Sequence, residues 1–515
     1  MRRTWLALRL ALAGGVALAG AVQVARADTP APAAAAPAPS AAPAPSAVAS
    51  APPAPAAPEA PPVAPADTDQ RMDTGLEAIR AKDYAQAAIV LYGVYQKLPL
   101  ADSRRDLAAY HLATALVELG FTSAAVEHYL EILSGRRSPD LVDQALVALK
   151  PLYEKRLVNE GRFVEGVLYG SQFSNLSPDV ADFVEYLQAL TDIRHGFTKW
   201  GRGRLEVLAK ANRTYSFSAR YAVAVERIAL HEDDAAATEL KAIIASTGQI
   251  PFEIRNQSRI ALGRILYEKK LYEDAWKVYS KVDSPLPLQD VVMIERAWDR
   301  VASGDQQRAL GLIVGLGAPV FHAIFSPERY LIRALALRRL CQFRAAHLAV
   351  REYRSNYGPE LEKIKARVSL KDDPTVRSWA IAETPALRDY GRIHDLMIRE
   401  RAALGSIGDK PLRDHLDAIY ATGIATTGRA IDRDLDGATE RVADELLRID
   451  EQMSLVDYEI GAGLFKSGQG GKTAGAPRSI DIPQGTDEVY FKFDGEYWSD
   501  ELGDYAVLAR DRCMR

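Results

Sequence analysis

Cysteine is nearly absent. Cys341 and Cys513 are the only two in 515 residues, which excludes a disulfide framework. They read as two separate thiols, with a Cys341–Cys513 bond as the alternative. The eight histidines are scattered, with no His-Glu-x-x-His and no Cys/His pairs at zinc spacing. A Gly-x-Ser-x-Gly nucleophile elbow is also missing. Carboxylates are plentiful, as on any solvated helix, and none stands out as a catalytic pair. No catalytic residue, cofactor or metal is therefore assigned, and the chain reads as a non-enzyme. Charge of one sign is lacking too. The net charge is −4 with 26% charged residues, which gives no nucleic-acid footprint.

The N-terminus supplies a basic start at Arg2 and Arg3 and an apolar run from Leu10 to Val22. That run is short against the ~20 residues a membrane helix needs. Ala25-Arg26-Ala27 then forms an A-x-A cleavage site, so residues 1–27 read as a secretory signal and the mature chain starts at Asp28. Residues 28–67 are Ala, Pro and Ser with little apolar bulk, the composition of a disordered, extended linker. The expected location is the periplasm, with outer-membrane association left open.

The stretch Asn256–Pro287 carries two short helical patterns back to back. Ile260, Leu262, Gly263 and Leu266 share one face, and Tyr272, Ala275, Tyr279 and Val282 the other. Gly263 and Ala275 are small where two helices approach, and Tyr279 fills the space beside them. This spacing resembles a tetratricopeptide repeat (TPR), a helix-turn-helix of 34 residues that needs neighbours to bury its face. Similar spacing appears at Tyr84, Ala87, Leu91 and Pro99, and again at Leu112, Ala113, Leu116, Gly120, Ala125 and Tyr129. Gly120 stands at the turn, where a positive φ is useful. Between Asp140 and Gly248 the period blurs into six amphipathic helical runs, best read as degenerate pairs. After Val282 the register resumes at Ala297, Gly304, Ala309 and Ile313, and again at Ala334, Leu337, Phe343, Ala346 and Tyr353.

Residues 361–466 read differently. Thr375–Leu404 is expected to be one helix, and Leu412 to about Phe465 a second with no proline. Val442, Leu446, Ile449, Met453, Val456 and Ile460 alternate spacings of four and three, a coiled-coil seam. The prediction is a long antiparallel helical hairpin that caps the solenoid or projects from it. Residues 467–487 read as loop. In the aromatic tail, 488–515, Val489, Phe491 and Phe493 alternate as in a short strand. Two motif fragments fail on context. Gly468–Thr473 resembles the end of a P-loop, but Lys466 stands where its first glycine belongs. Asp432–Gly437 opens like a calcium loop, but Ala443 replaces the bidentate glutamate.

The predicted fold is thus all-α: a TPR-like α-solenoid over residues 68–360, a long helical hairpin, and a short β-containing tail. TPR proteins present residues of the first helix of each pair to a groove. Carried over, that pattern nominates Tyr110, Thr114, Arg264, Tyr267, Trp298, Arg338 and Arg339 as partner-binding, with Phe493, Tyr497 and Trp498 added from the tail. The export signal, Ala/Pro linker, divergent repeats, long helical region and the tail from Phe493 to Gly503 together resemble TPR proteins of the myxobacterial gliding-motility envelope machinery. That resemblance implies a non-enzymatic scaffold binding other envelope proteins or extended peptides. An assembly factor or chaperone for outer-membrane or secreted proteins is the alternative.

Overall fold

A computed structural model describes residues 65–283, 286–370, 372–466 and 492–513. The expected export signal, nearly all of the linker, the 467–487 loop with its P-loop fragment, and Val489 and Phe491 lie outside these residues. No helix among the described residues is long and apolar enough to cross a membrane.

The described residues are mainly helical, with no strand among them. Successive helices pair: α1 (Pro65–Arg80) with α2 (Tyr84–Lys97), and α3 (Ser103–Glu118) with α4 (Thr122–Gly135); α5 (Pro139–Glu154) is followed by a π-helix (Gly161–Leu168) in the second-helix place, which packs mainly on the next helix and on α4. The series continues with α6 (Pro178–Arg194) and α7 (Thr198–Lys210), then α8 (Ser216–Ala229) and α9 (Asp233–Ala245). Next come α10 (Phe252–Glu268) with α11 (Tyr272–Tyr279), α12 (Leu286–Ser303) with α13 (Gln306–Gly315), and α14 (Glu328–Arg339) with α15 (Phe343–Lys365). Each helix packs mainly on its chain neighbours, the arrangement of a solenoid.

One turn recurs in all eight pairs. A residue with positive φ follows the first helix: Lys82, Gly120, Arg156, Gly196, His231, Lys270, Gly304 and Cys341. The next N–H then reaches back five residues, as Phe121 does to the Leu116 carbonyl and Leu271 to that of Leu266. This Schellman closure satisfies the carbonyls a helix end leaves open. The turns fall between 34 residues apart (Lys270 to Gly304) and 40 (Arg156 to Gly196). Inside the Asn256 unit, Ala275 is fully buried. A Cβ on Gly263 would lie 2.6 Å from the Tyr279 ring, so the close approach expected there is present.

The expected helix over Thr375–Leu404 is two, α16 (Pro374–Glu383) and α17 (Pro385–Ala402). Pro385 offers no N–H and pushes Thr384 into an extended conformation (φ −108°, ψ 105°). The last helix, α18 (Lys410–Lys466), runs 57 residues, about 85 Å. Asp432–Gly437 lies inside it, as helix rather than loop. The hairpin of α17 and α18 neither caps nor projects. It folds back along the solenoid, chiefly on the second helices α2, α4 and α15. Leu412, Leu416 and Tyr420 join the core of the first pairs, and the seam from Val442 to Ile460 joins the core of the last two. Fifteen residues, about 22 Å of helix, separate Tyr420 from Leu435 in the second core. One helix thus joins the cores at both ends of the solenoid, and the core between them, from Tyr221 to Tyr279, contains no residue of it.

Two further expectations are corrected. Cys341 and Cys513 are bonded, with Cα atoms 5.0 Å apart across 172 residues of sequence. The tail does not continue as a strand: residues 492–513 are turns and irregular backbone. They lie on α12 and α13 because their main chain finds hydrogen-bond partners there, with Val507 N–H donating to the Gln307 carbonyl at 3.0 Å.

Candidate interaction surface

The first-helix residues nominated from sequence do not converge on one place. In α3, Tyr110 and Thr114 are half-buried and turn toward their own second helix. Thr114 Oγ1 lies 3.5 Å from Tyr129 Oη, and the Tyr110 and Tyr129 rings are 5.8 Å apart. Tyr267 in α10 is half-buried, 5.7 Å ring to ring from Tyr272. Trp298 in α12 is half-buried, and its indole N–H has no hydrogen-bond partner among the described residues.

One nomination is corrected. Arg264 is 3% exposed and clamps Glu295 of the next pair, Nη2 to Oε1 at 2.6 Å. Tyr279 Oη donates to the same carboxylate at 2.9 Å. This is inter-pair packing, because a buried guanidinium needs its counter-charge inside the protein. Arg338 bridges to Glu459 of α18 at 2.6 Å, and Arg339 donates to the Val301 carbonyl. Arg338 stays half-buried and Arg339 exposed. In the tail, Trp498 is 62% exposed and Phe493 is also exposed, while Tyr497 is half-buried. Phe493 and Tyr497 meet edge to face at 5.2 Å.

The geometry builds a different place, where the hairpin meets the first three pairs. A cleft of about 540 Å³ opens there, lined by Tyr95, His128, Glu131, Arg162, Gly166 and His415 among others. The π-helix supplies one wall, and such wider turns recur at functional sites. His128 Nε2 and His415 Nε2 stand 3.4 Å apart, and His415 stacks on Tyr92 at 4.9 Å. Burial, then His415 and Arg105, push the His128 pKa down to about 3. Burial lowers that of His415 as well, so both rings are neutral at pH 7. Arg105 sits 3.8 Å over the Tyr95 ring, and Tyr95 Oη donates to Glu131 at 2.6 Å. Burial raises the Glu127 pKa, opposed by its ion pair to Arg162 at 2.8 Å. The cleft's carboxylates are therefore already engaged, and the rest of its lining apart from Arg162 is neutral: aromatic rings, aliphatic side chains, a serine and two glycines.

Next to the cleft, the hairpin is tied down by one buried carboxylate. Phe121 at the N-cap of α4 has no side chain able to cap. Glu400 of α17 does that work from 277 residues away, accepting the Ser123 N–H at 2.9 Å and the Tyr420 hydroxyl at 3.0 Å. A carboxylate is favoured at this end of the α4 dipole.

Sequence reasoning missed His128, His415 and Glu400. No periodic signal marks a cap supplied by a distant helix. The seam in α18 was legible, but not the surface it packs on. Neither a protein-family model nor a curated protein matches this sequence.

Proposed function

We propose that this chain is a non-enzymatic scaffold of TPR-like helix pairs, mediating protein–protein contacts within a cell-envelope complex. The observation that carries this reading is the course of the hairpin. Among the solenoid's helices it packs chiefly on the second ones, so the hairpin is not the element that covers most of the first helices. A row of first helices is the surface on which stacked repeats take extended partners. Exposed Phe197, Trp200 and Val207 beside α7, and Leu455, Tyr458 and Phe465 on α18, add apolar contact points.

The compartment rests on the export signal, and the gliding-motility machinery on the tail from Phe493 to Gly503. On this reading the chain works in the periplasm with other envelope proteins or extended peptides as partners. Tagged protein recovered from envelope fractions is expected to bring envelope proteins with it, and mass spectrometry of the native chain to find Asp28 at its N-terminus. A chain starting at Met1 that is recovered from envelope fractions without any partner would overturn the reading.

A further inference from the structure

The C-terminal segment rests on a face of α13 that only glycine permits. A Cβ on Gly311 would lie 1.7 Å from the Tyr505 carbonyl oxygen, and one on Gly315 2.5 Å from that of Leu502. A Cβ on Gly317, just beyond, would meet Tyr497 Oη at 2.8 Å. The contact is made largely by main chain. Val507 N–H donates to the Gln307 carbonyl, and Gln307 Nε2 returns a bond to the Ala509 carbonyl at 3.2 Å. Farther along, Arg512 N–H donates to the Leu340 carbonyl at 2.9 Å, and Gln342 Nε2 to the Arg510 carbonyl at 2.9 Å. Only Leu502 and Ala509 of the segment are buried.

Arg296 makes this more than a stripe of small residues. Its residue is 8% exposed, and its Nε has no partner among the described residues. Its guanidinium lies 4.3 Å over Trp276 and points at the segment, where Nη1 is 2.5 Å from the place a Cβ on Gly503 would take. Nη2 reaches Asp504 at 3.5 Å. A buried cation with a spare donor, aimed at a glycine followed by an aspartate, reads a turn, closed here by Asp504 N–H to the Glu501 carbonyl, that carries a small residue and then an acidic one.

We propose that this face of α13 is a binding site for a peptide that turns at a small–acidic pair and then runs along the helix, filled here by the chain's own C-terminus as a tethered ligand that the Cys341–Cys513 bond holds in place. Few side chains are buried, so covalent tethering supplies the effective concentration that keeps the site filled. Reducing the bond gives two thiols and frees the segment to exchange with another of the same pattern. The reductant is a dithiol, which is oxidised as the bond is reduced. The inference stands whether or not the first-helix face binds partners.

The test uses the full chain. A fluorescent peptide of residues 497–512 is titrated against oxidised wild type, and against a Leu502→Asp variant with dithiothreitol, in which the chain's own segment is disabled. The expected result is saturable binding to the reduced variant and at least tenfold weaker binding to oxidised wild type. Adding Gly311→Val to the variant should remove binding, because the new side chain fills the contact. Equal binding by the Gly311→Val variant, or none by a folded Leu502→Asp chain, overturns the proposal. Should Leu502→Asp fail to fold, chymotrypsin on wild type decides. Cleavage at Tyr497, Trp498 and Tyr505 must accelerate on reduction, and an unchanged rate overturns the proposal.

Discussion

The two ends of the solenoid and its middle use the same helix pair under different obligations. At the ends, the core has a long-range partner: α18 reaches into the core of the first pairs with Leu416 and Tyr420, and into that of the last with Leu446 and Met453. In the middle, Tyr221 to Tyr279 form a core of their own, with no hairpin residue in it. Stability there is the sum of each pair and its interfaces with the next. Pairs in the middle are tied to their neighbours by polar joints such as Arg264 to Glu295. The comparison teaches that one repeat geometry serves two modes of burial, one shared with a long-range partner and one shared only between neighbours.

The strongest way to break this contrast is to cut such a joint. Arg264→Ala leaves Glu295 buried beside Tyr279 without its counter-charge, a loss of about 3–5 kcal/mol. Hydrogen exchange should rise in α10 to α12 first, ahead of α1 to α4. Uniform loosening along the chain would mean the middle is not an independent unit. Replacing Arg264 and Glu295 together with leucines should recover most of the loss in a thermal melt, since the orphaned charge goes too.

A steric cut comes next. Ala275 is fully buried and cannot grow, so Ala275→Trp should cost about 1–3 kcal/mol or more. Lys277→Trp, on the exposed side of the same short helix, should stay within about 0.5 kcal/mol. Equal melting temperatures for the two would contradict the register of α11.

The ends are tested through Glu400. Glu400→Ala removes the distant cap of α4 and strands the Tyr420 hydroxyl, a loss of about 2 kcal/mol. The contrast sharpens if α17 and the start of α18 gain exchange while α8 to α11 do not. Glu400→Gln keeps an acceptor and should lose less. A variant that melts like wild type would show that the hairpin holds without this tie.

Much of this architecture was legible because it is local. Gly120 and Gly304 announce turns, and the Val442–Ile460 seam announces a long buried helix edge. The blur between residues 140 and 248 has a plain cause. Two of the three pair turns there use Arg156 and His231 at positive φ instead of glycine, so the punctuation is unreadable although the turn is the same. What sequence hid is long-range. Nothing near Cys341 points to Cys513, and Gly311 and Gly315 look like helix-weakening residues until Tyr505 and Leu502 are laid on them. Arg264 was read as groove-facing from its position in the repeat, and only Glu295 on the next pair shows that it faces inward.

The smallest effect is the most discriminating, because it should have opposite signs in two places. At the hairpin junction, His128 is held neutral with its pKa down at about 3, against about 6.5 in the unfolded chain. The unfolded state binds the proton first, so this contribution is whole above pH 6.5 and is lost as pH falls toward 3. From pH 7 to 5.5 the junction should lose about 1 kcal/mol. His415 adds in the same direction, with Arg105 and Glu131 the nearest charges. Asp299 in α12 behaves in reverse. Burial, opposed by its bond to Arg300, raises its pKa to about 6, above the unfolded value near 3.9. Here the folded state takes the proton first, so α12 should gain somewhat under 1 kcal/mol over the same range. Segment-resolved hydrogen exchange, corrected for intrinsic rates, should show faster opening at α4 and α18 and slower opening at α12. His128→Phe should flatten the first trend and leave the second, and Asp299→Asn the converse. If both segments respond with the same sign, the two ends of this helix-pinned solenoid are not held by the groups assigned to them.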